Sequence, residues 1–145
     1  AYTNGTRNNT IMYPLAMTLS EQDMMDLAAY YQAQTPVKKT YDYELAKQGE
    51  SLYRGGNSSG VAACIACHGP KGLGIPSAKF PALSAQHAEY TALQLKAFRQ
   101  YSINEQTGSD DVARDNDYEG MMRNVAKGLT TVEIEALAEY IAGLH

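Results

Sequence analysis

The chain holds two cysteines, and both fall in one stretch, Ala63-Cys64-Ile65-Ala66-Cys67-His68-Gly69. Two thiols three positions apart on one short helical turn can reach the two vinyl groups of a single porphyrin and form thioethers. The histidine that follows at once can then ligate the iron through a neutral imidazole nitrogen. The Cys-x-x-Cys-His pattern therefore reads as a c-type haem attachment site, with His68 as the proximal ligand.

Three other chemistries use such a pair. A thioredoxin-like redox couple belongs in a βαβ context, whereas these flanks are helical in pattern and glycine-rich. A structural zinc wants four ligands, and beyond these three residues the remaining likely donors are His87 and His145, at no zinc-like spacing. A disulfide across so short a loop would be strained. The adjacent histidine and the lack of a third cysteine favour haem.

The bulk numbers are compatible with that reading. A chain of 145 residues supports one domain, or one domain and a piece of another. The net charge of −4 argues against nucleic acid or an anionic membrane surface as partner. No apolar run approaches the roughly twenty residues of a membrane span, which leaves peripheral association open. The eleven tyrosines, with no tryptophan, are expected largely in the core or around the cofactor. No signal peptide is visible, and Ala1-Tyr2-Thr3-Asn4 reads as the start of a mature or cut product. Since haem is attached covalently outside the cytoplasm, an export signal is expected in a part of the gene product not shown.

Four helices are expected. Ser20 with Asp23 forms a capping pair opening a helix to about residue 34, with Met24, Leu27, Ala28 and Tyr31 on its apolar face. Pro36 and two lysines then mark residues 35–42 as a linker. A second helix covers 43–54, with Leu45, Gly49, Leu52 and Tyr53 on one face, and stops at Gly55-Gly56. Residues 69–81 read as an irregular loop. A third helix covers 85–101, with Tyr90, Leu93, Leu95, Ala97 and Phe98 as apolar positions, and the acidic stretch 102–120 reads as a solvated loop. Thr130 with Glu133 opens the last helix, to about residue 142.

The chain also repeats itself. Residues 12–30 lie over residues 122–140: Met12 meets Met122, Ala16 meets Ala126, Leu19 meets Leu129, Ser20 meets Thr130, Asp23 meets Glu133 and Tyr30 meets Tyr140. The repeat bears on the second axial ligand, because His/Met ligation suits electron transfer. Met24 and Met25 lie within a helix and read as packing. Of the adjacent Met121 and Met122, the repeat selects Met122, and Met12 is its counterpart. His87 reads as a capping or surface residue and His145 as solvated.

With these residues in place, the chain resembles the cytochrome c4 family, di-haem proteins of two fused class I cytochrome c domains from the bacterial periplasm. The resemblance rests on Gly49-Glu50-Ser51-Leu52-Tyr53-Arg54-Gly55-Gly56, the Cys64 to His68 motif, Phe80-Pro81-Ala82-Leu83 with Gln86-His87, Phe98-Arg99, Met122 through Leu129-Thr130, and the ending Tyr140-Ile141-Ala142-Gly143-Leu144-His145. It implies an all-α, class I cytochrome c fold with a partial second copy at the N-terminus. Residues 1–34 would be the end of a first cytochrome c domain, 35–42 a linker and 43–145 a complete domain. It implies that the Pro81 carbonyl accepts the His68 Nδ1–H, and that Gly49 and Tyr53 cross the last helix at Leu137 and Tyr140. The first domain's own Cys-x-x-Cys-His is not in this sequence. One haem c is therefore expected per chain as given and two in the full-length protein, with Met12 serving the first. The implied role is a periplasmic electron carrier, not an enzyme, between a quinol-oxidising complex and a terminal oxidase. The alternative is a haem domain of a larger oxidoreductase or a peroxidase-like enzyme.

Overall fold

The computed structural model describes residues 1–37 and 39–145; Lys38, within the expected linker, lies outside the described residues. The architecture is all-α, as expected. The helices are α1 (Met12–Met17), α2 (Glu21–Gln32), α3 (Tyr43–Gly55), α4 (Ile65–His68), α5 (Ala88–Thr107), α6 (Met121–Ala126) and α7 (Thr131–Gly143). Short 3-10 turns occupy Pro76–Ala78 and Tyr118–Gly120.

The core gathers on α7, whose Ile134, Ala136, Leu137, Ala138, Ile141 and Ala142 are all buried. Its start is fixed from both sides: the Thr130 hydroxyl accepts from Glu133 N at 3.2 Å, and the Glu133 carboxylate accepts from Thr130 N at 2.7 Å. These bonds, with a further one from Asn57, hold the Glu133 carboxyl below the usual carboxylate range. Asn57 also accepts from Val61 N at 3.1 Å, so one side chain closes the loop after α3 and ties it to α7.

Helix α3 crosses α7 where neither has bulk. A Cβ on Gly49 would strike the Ala136 carbonyl and come within 2.8 Å of the Tyr140 Cβ, so only glycine lets the backbones approach this closely. One turn on, Tyr53 is fully buried with its ring 5.3 Å from that of Tyr140. Tyr53, Val61, Leu129, Ile134, Leu137 and Ile141 form the contiguous core, and Cys64 and Ile65 pack against it.

The repeat has the same local form in both copies. Ser20 and Asp23 make a reciprocal capping box, as Thr130 and Glu133 do. Leu19 N bonds to Ala16 O at 3.3 Å, and Leu129 N to Ala126 O at 3.0 Å. Burial separates the copies. Helix α2 buries no residue, and Met24, Leu27 and Tyr31 are exposed. The N-terminal stretch is nevertheless fastened to the rest, since Arg7 donates to the Tyr90 hydroxyl at 2.7 Å and to Gln94 Oε1 at 2.9 Å.

Several expectations are corrected. Helix α5 starts at Ala88, because Ala85 sits at φ 55° and His87 takes the N-cap position, and it runs on to Thr107, where Gly108 ends it in the left-handed region. The acidic residues misled here: 102–107 are a solvated helical extension, with Asn104 reaching forward to the Asp111 carbonyl at 2.6 Å. Tyr90 and Leu93 are exposed, whereas Thr91 and Phe98 are buried. Helix α2 stops two residues short of Gln34. Among the tyrosines, Tyr53 is buried while Tyr13, Tyr30, Tyr31, Tyr41, Tyr43, Tyr90 and Tyr118 are exposed. Their phenolic tips keep their hydration at the surface.

Candidate functional site

The attachment motif forms a single turn. Cys64 caps α4, Cys67 and His68 lie within it, and His68 N bonds to Cys64 O at 2.9 Å. The two cysteines are not joined in a disulfide and are half-buried, while His68 is buried. Burial pushes the Cys64 thiol up to about 11. A reactive Cys-x-x-Cys pair needs the opposite shift, toward thiolate.

The loop that follows exists to bring one carbonyl back. Gly74 N bonds to His68 O at 2.9 Å, Ile75 and Phe80 exchange bonds of 2.9 and 3.1 Å, and Leu83 N bonds to Gly72 O at 2.7 Å. Gly74, at φ 72°, faces Pro81 so closely that a Cβ would lie 2.6 Å from the Pro81 carbonyl carbon. The folded loop sets the Pro81 oxygen 2.9 Å from His68 Nδ1. A carbonyl only accepts, so Nδ1 carries the proton and Nε2 keeps its lone pair. Burial holds the imidazole below the usual histidine range, against the opposing pull of that carbonyl. A neutral imidazole locked by a backbone acceptor is an oriented metal ligand. The Tyr53 hydroxyl donates to Gly69 O at 2.7 Å, tying the residue after the histidine to the core.

The structure thus joins Cys64, Cys67, His68 and Pro81. Met122 comes from a separate element, α6, which packs on α5. It is half-buried, whereas Met121 beside it is exposed, as is Met12. His87 is exposed at the start of α5, and His145 is exposed with Nδ1 2.7 Å from the Gly143 carbonyl. Paired thiols on one turn and a buried imidazole with one nitrogen committed match the donor set of haem c.

Two groups escaped the sequence reading. Asp117, one of six acidic residues in an apparent solvated loop, has a side chain only 5% exposed and pairs with Arg123 at 2.7 Å. Arg114, in the same stretch, lies 4.4 Å over the Phe98 ring and donates to Gln94 Oε1 at 2.8 Å, the oxygen that Arg7 also uses. Composition cannot separate these from their neighbours in a polar, acidic stretch.

The sequence pattern of the cytochrome c family matches residues 46–145. The chain is 48% identical over 140 residues to cytochrome c4 of Thiocapsa roseopersicina, across 95% of this chain and 67% of that protein. The crystal structure of reduced recombinant cytochrome c4 from Pseudomonas stutzeri superposes with a TM-score of 0.84 at 44% identity, covering 96% of this chain and 68% of that one. A thiosulfate dehydrogenase electron acceptor of Stutzerimonas stutzeri is 33% identical over 147 aligned positions, across 99% of this chain and 62% of that protein. The chain spans 56–67% of the length of its cytochrome c4 relatives. Fold, motif and kinship agree: the chain has the class I cytochrome c fold, carries covalently bound haem c, and belongs to the cytochrome c family in its cytochrome c4 group, whose members are electron carriers and not enzymes.

Proposed function

We propose that this chain passes single electrons through one haem c attached at Cys64 and Cys67, with His68 and Met122 as axial ligands, in the bacterial periplasm. The observation that carries the reading is the 2.9 Å contact between His68 Nδ1 and the Pro81 carbonyl, beside two cysteines on the same turn that form no disulfide. Haem c supplies a one-electron ferrous/ferric couple. The chain's own residues bury the attachment turn, fix the imidazole's orientation and offer the soft thioether of Met122.

Residues 1–34 are read as the end of a first cytochrome c domain, 35–42 as a linker and 43–145 as a complete domain. The identical capping of α2 and α7 supports this, as does the greater length of the relatives. Met12 then serves a first haem whose attachment motif lies outside this sequence. The count is one haem per chain as given and two in the longer protein.

The electron route runs from a quinol-oxidising complex to a terminal oxidase, with peripheral membrane association at either end. Similarity to a thiosulfate dehydrogenase electron acceptor favours a second donor, a thiosulfate dehydrogenase. Stopped-flow reduction by each donor class decides between them.

Acid denaturation and solvent extraction should leave the haem on the polypeptide, and release would refute thioether attachment. Met122→Ala should abolish the far-red methionine–iron absorption of the ferric form and lower the potential, while Met121→Ala keeps the band. The reverse result moves the ligand to Met121. A high-spin ferric spectrum in the unmutated protein would instead favour a peroxidase-like centre.

A further inference from the structure

We propose that Asp117 is the positioning residue for the methionine ligand, fixing where the Met122 thioether stands and so how firmly it excludes other ligands. The inference rests on reading Met122 as that ligand. Helix α6 begins at Met121, and its N-cap is Gly120, which has no side chain with which to cap. A helix this short leaves its first amides without partners inside the helix. Asp117 supplies the acceptor from outside. Its Oδ2 accepts from the backbone N of Arg123 at 3.0 Å, and its Oδ1 accepts from Arg123 Nε at 2.7 Å. Both oxygens therefore grip the residue immediately after Met122.

The intervening chain is shaped to allow this reach. Glu119 and Gly120 stand at φ 51° and 70°, two successive left-handed residues that turn the backbone so that Asp117 faces the start of α6. A non-glycine residue pays strain there and persists only where its surroundings hold it. The Arg123 guanidinium lies 4.2 Å over the Tyr101 ring, so the grip extends to α5. The pair is sheltered, with side-chain exposures of 21% for Arg123 and 5% for Asp117, so water competes weakly for these bonds.

The first copy of the repeat solves the same problem with a different residue. Asn9 Oδ1 accepts from Met12 N at 2.8 Å and from Ile11 N at 3.0 Å, capping α1 where its methionine stands. In each copy an upstream polar side chain holds the backbone at the methionine.

The test measures imidazole binding to the ferric holoprotein by the loss of the far-red band, alongside thermal unfolding followed in the far ultraviolet. Asp117→Ala should bind imidazole at least tenfold more tightly than the unmutated protein, at temperatures where the helical signal is unchanged. Asp117→Asn, which keeps an oxygen for the Arg123 amide, should recover part of the difference. An affinity within twofold of the unmutated protein in Asp117→Ala overturns the proposal. So does ligand loss that occurs only together with global unfolding, which marks a merely structural residue. The Met122→Ala control separates this from the underlying reading. If Met122→Ala keeps the band, the ligand assignment itself fails and the positioning role falls with it; if it loses the band while Asp117→Ala is silent, only the positioning role fails.

Discussion

Tyr53 links the core to the cofactor turn through one hydroxyl. Its ring is fully buried, its OH donates to the Gly69 carbonyl, and burial raises the phenol to about 12. An unfolded tyrosine titrates near pH ~10. The neutral phenol is therefore the form the fold favours: its contribution is complete below pH ~10 and is lost as pH rises through ~12, about 2–3 kcal/mol in all. Tyr53→Phe should remove that alkaline slope from urea unfolding curves taken between pH 9 and ~12, and cost about 1–2 kcal/mol at neutral pH by leaving the Gly69 carbonyl without its partner. An unchanged slope would assign the alkaline transition to another group. The attachment residues were legible because Cys64, Cys67 and His68 are adjacent and their chemistry dictates the spacing. The hydroxyl contact was not legible, because helical periodicity names the face on which Tyr53 lies and not where its tip ends. Asp117 was hidden for a related reason: its burial comes from a partner six residues on and two left-handed residues between, which polarity alone reads as solvent.

Between helices, α3 and α7 cross closely at Gly49. Gly49→Ala should force the Ala136 carbonyl and Tyr140 away and cost about 1–3 kcal/mol, and Gly49→Leu more, by urea denaturation of the holoprotein. Gly55→Ala is the control: a Cβ there meets nothing within 4 Å, and its effect should stay within about 1 kcal/mol. Equal effects at the two sites would mean that the crossing tolerates a methyl group. Caps were the most readable signals in the chain, since Ser20 with Asp23 and Thr130 with Glu133 act through local backbone amides. The C-terminal end of α5 was the least readable. Its last turn is polar and faces water, and helical geometry there is closed by Gly108 and by the Asn104 contact to Asp111, not by an apolar stripe.

The molecule as a whole is acidic, with a net charge of −4, and three exposed carboxylates, Asp110, Asp111 and Asp115, share one loop. Charges near a docking face act mainly on association rate and are screened by salt. Replacing all three with asparagine should slow electron transfer with a basic partner several-fold at low ionic strength, with the two proteins converging as salt is raised. No difference at low salt would place the loop away from the docking face. Asp117 is left out of this set because it is buried in its pair with Arg123.

The meeting of α3 and α7 also carries an entropic cost. The two helices are far apart in sequence, so bringing them together means closing the loop between them. Cys64 packs against a core to which α7 contributes Ile134, Leu137 and Ile141. Until that helix docks, the thiol lacks the part of its cover that α7 supplies, while Tyr53, Val61 and Leu129 supply the rest. Full cover of the attachment point therefore depends on α7 docking against the core.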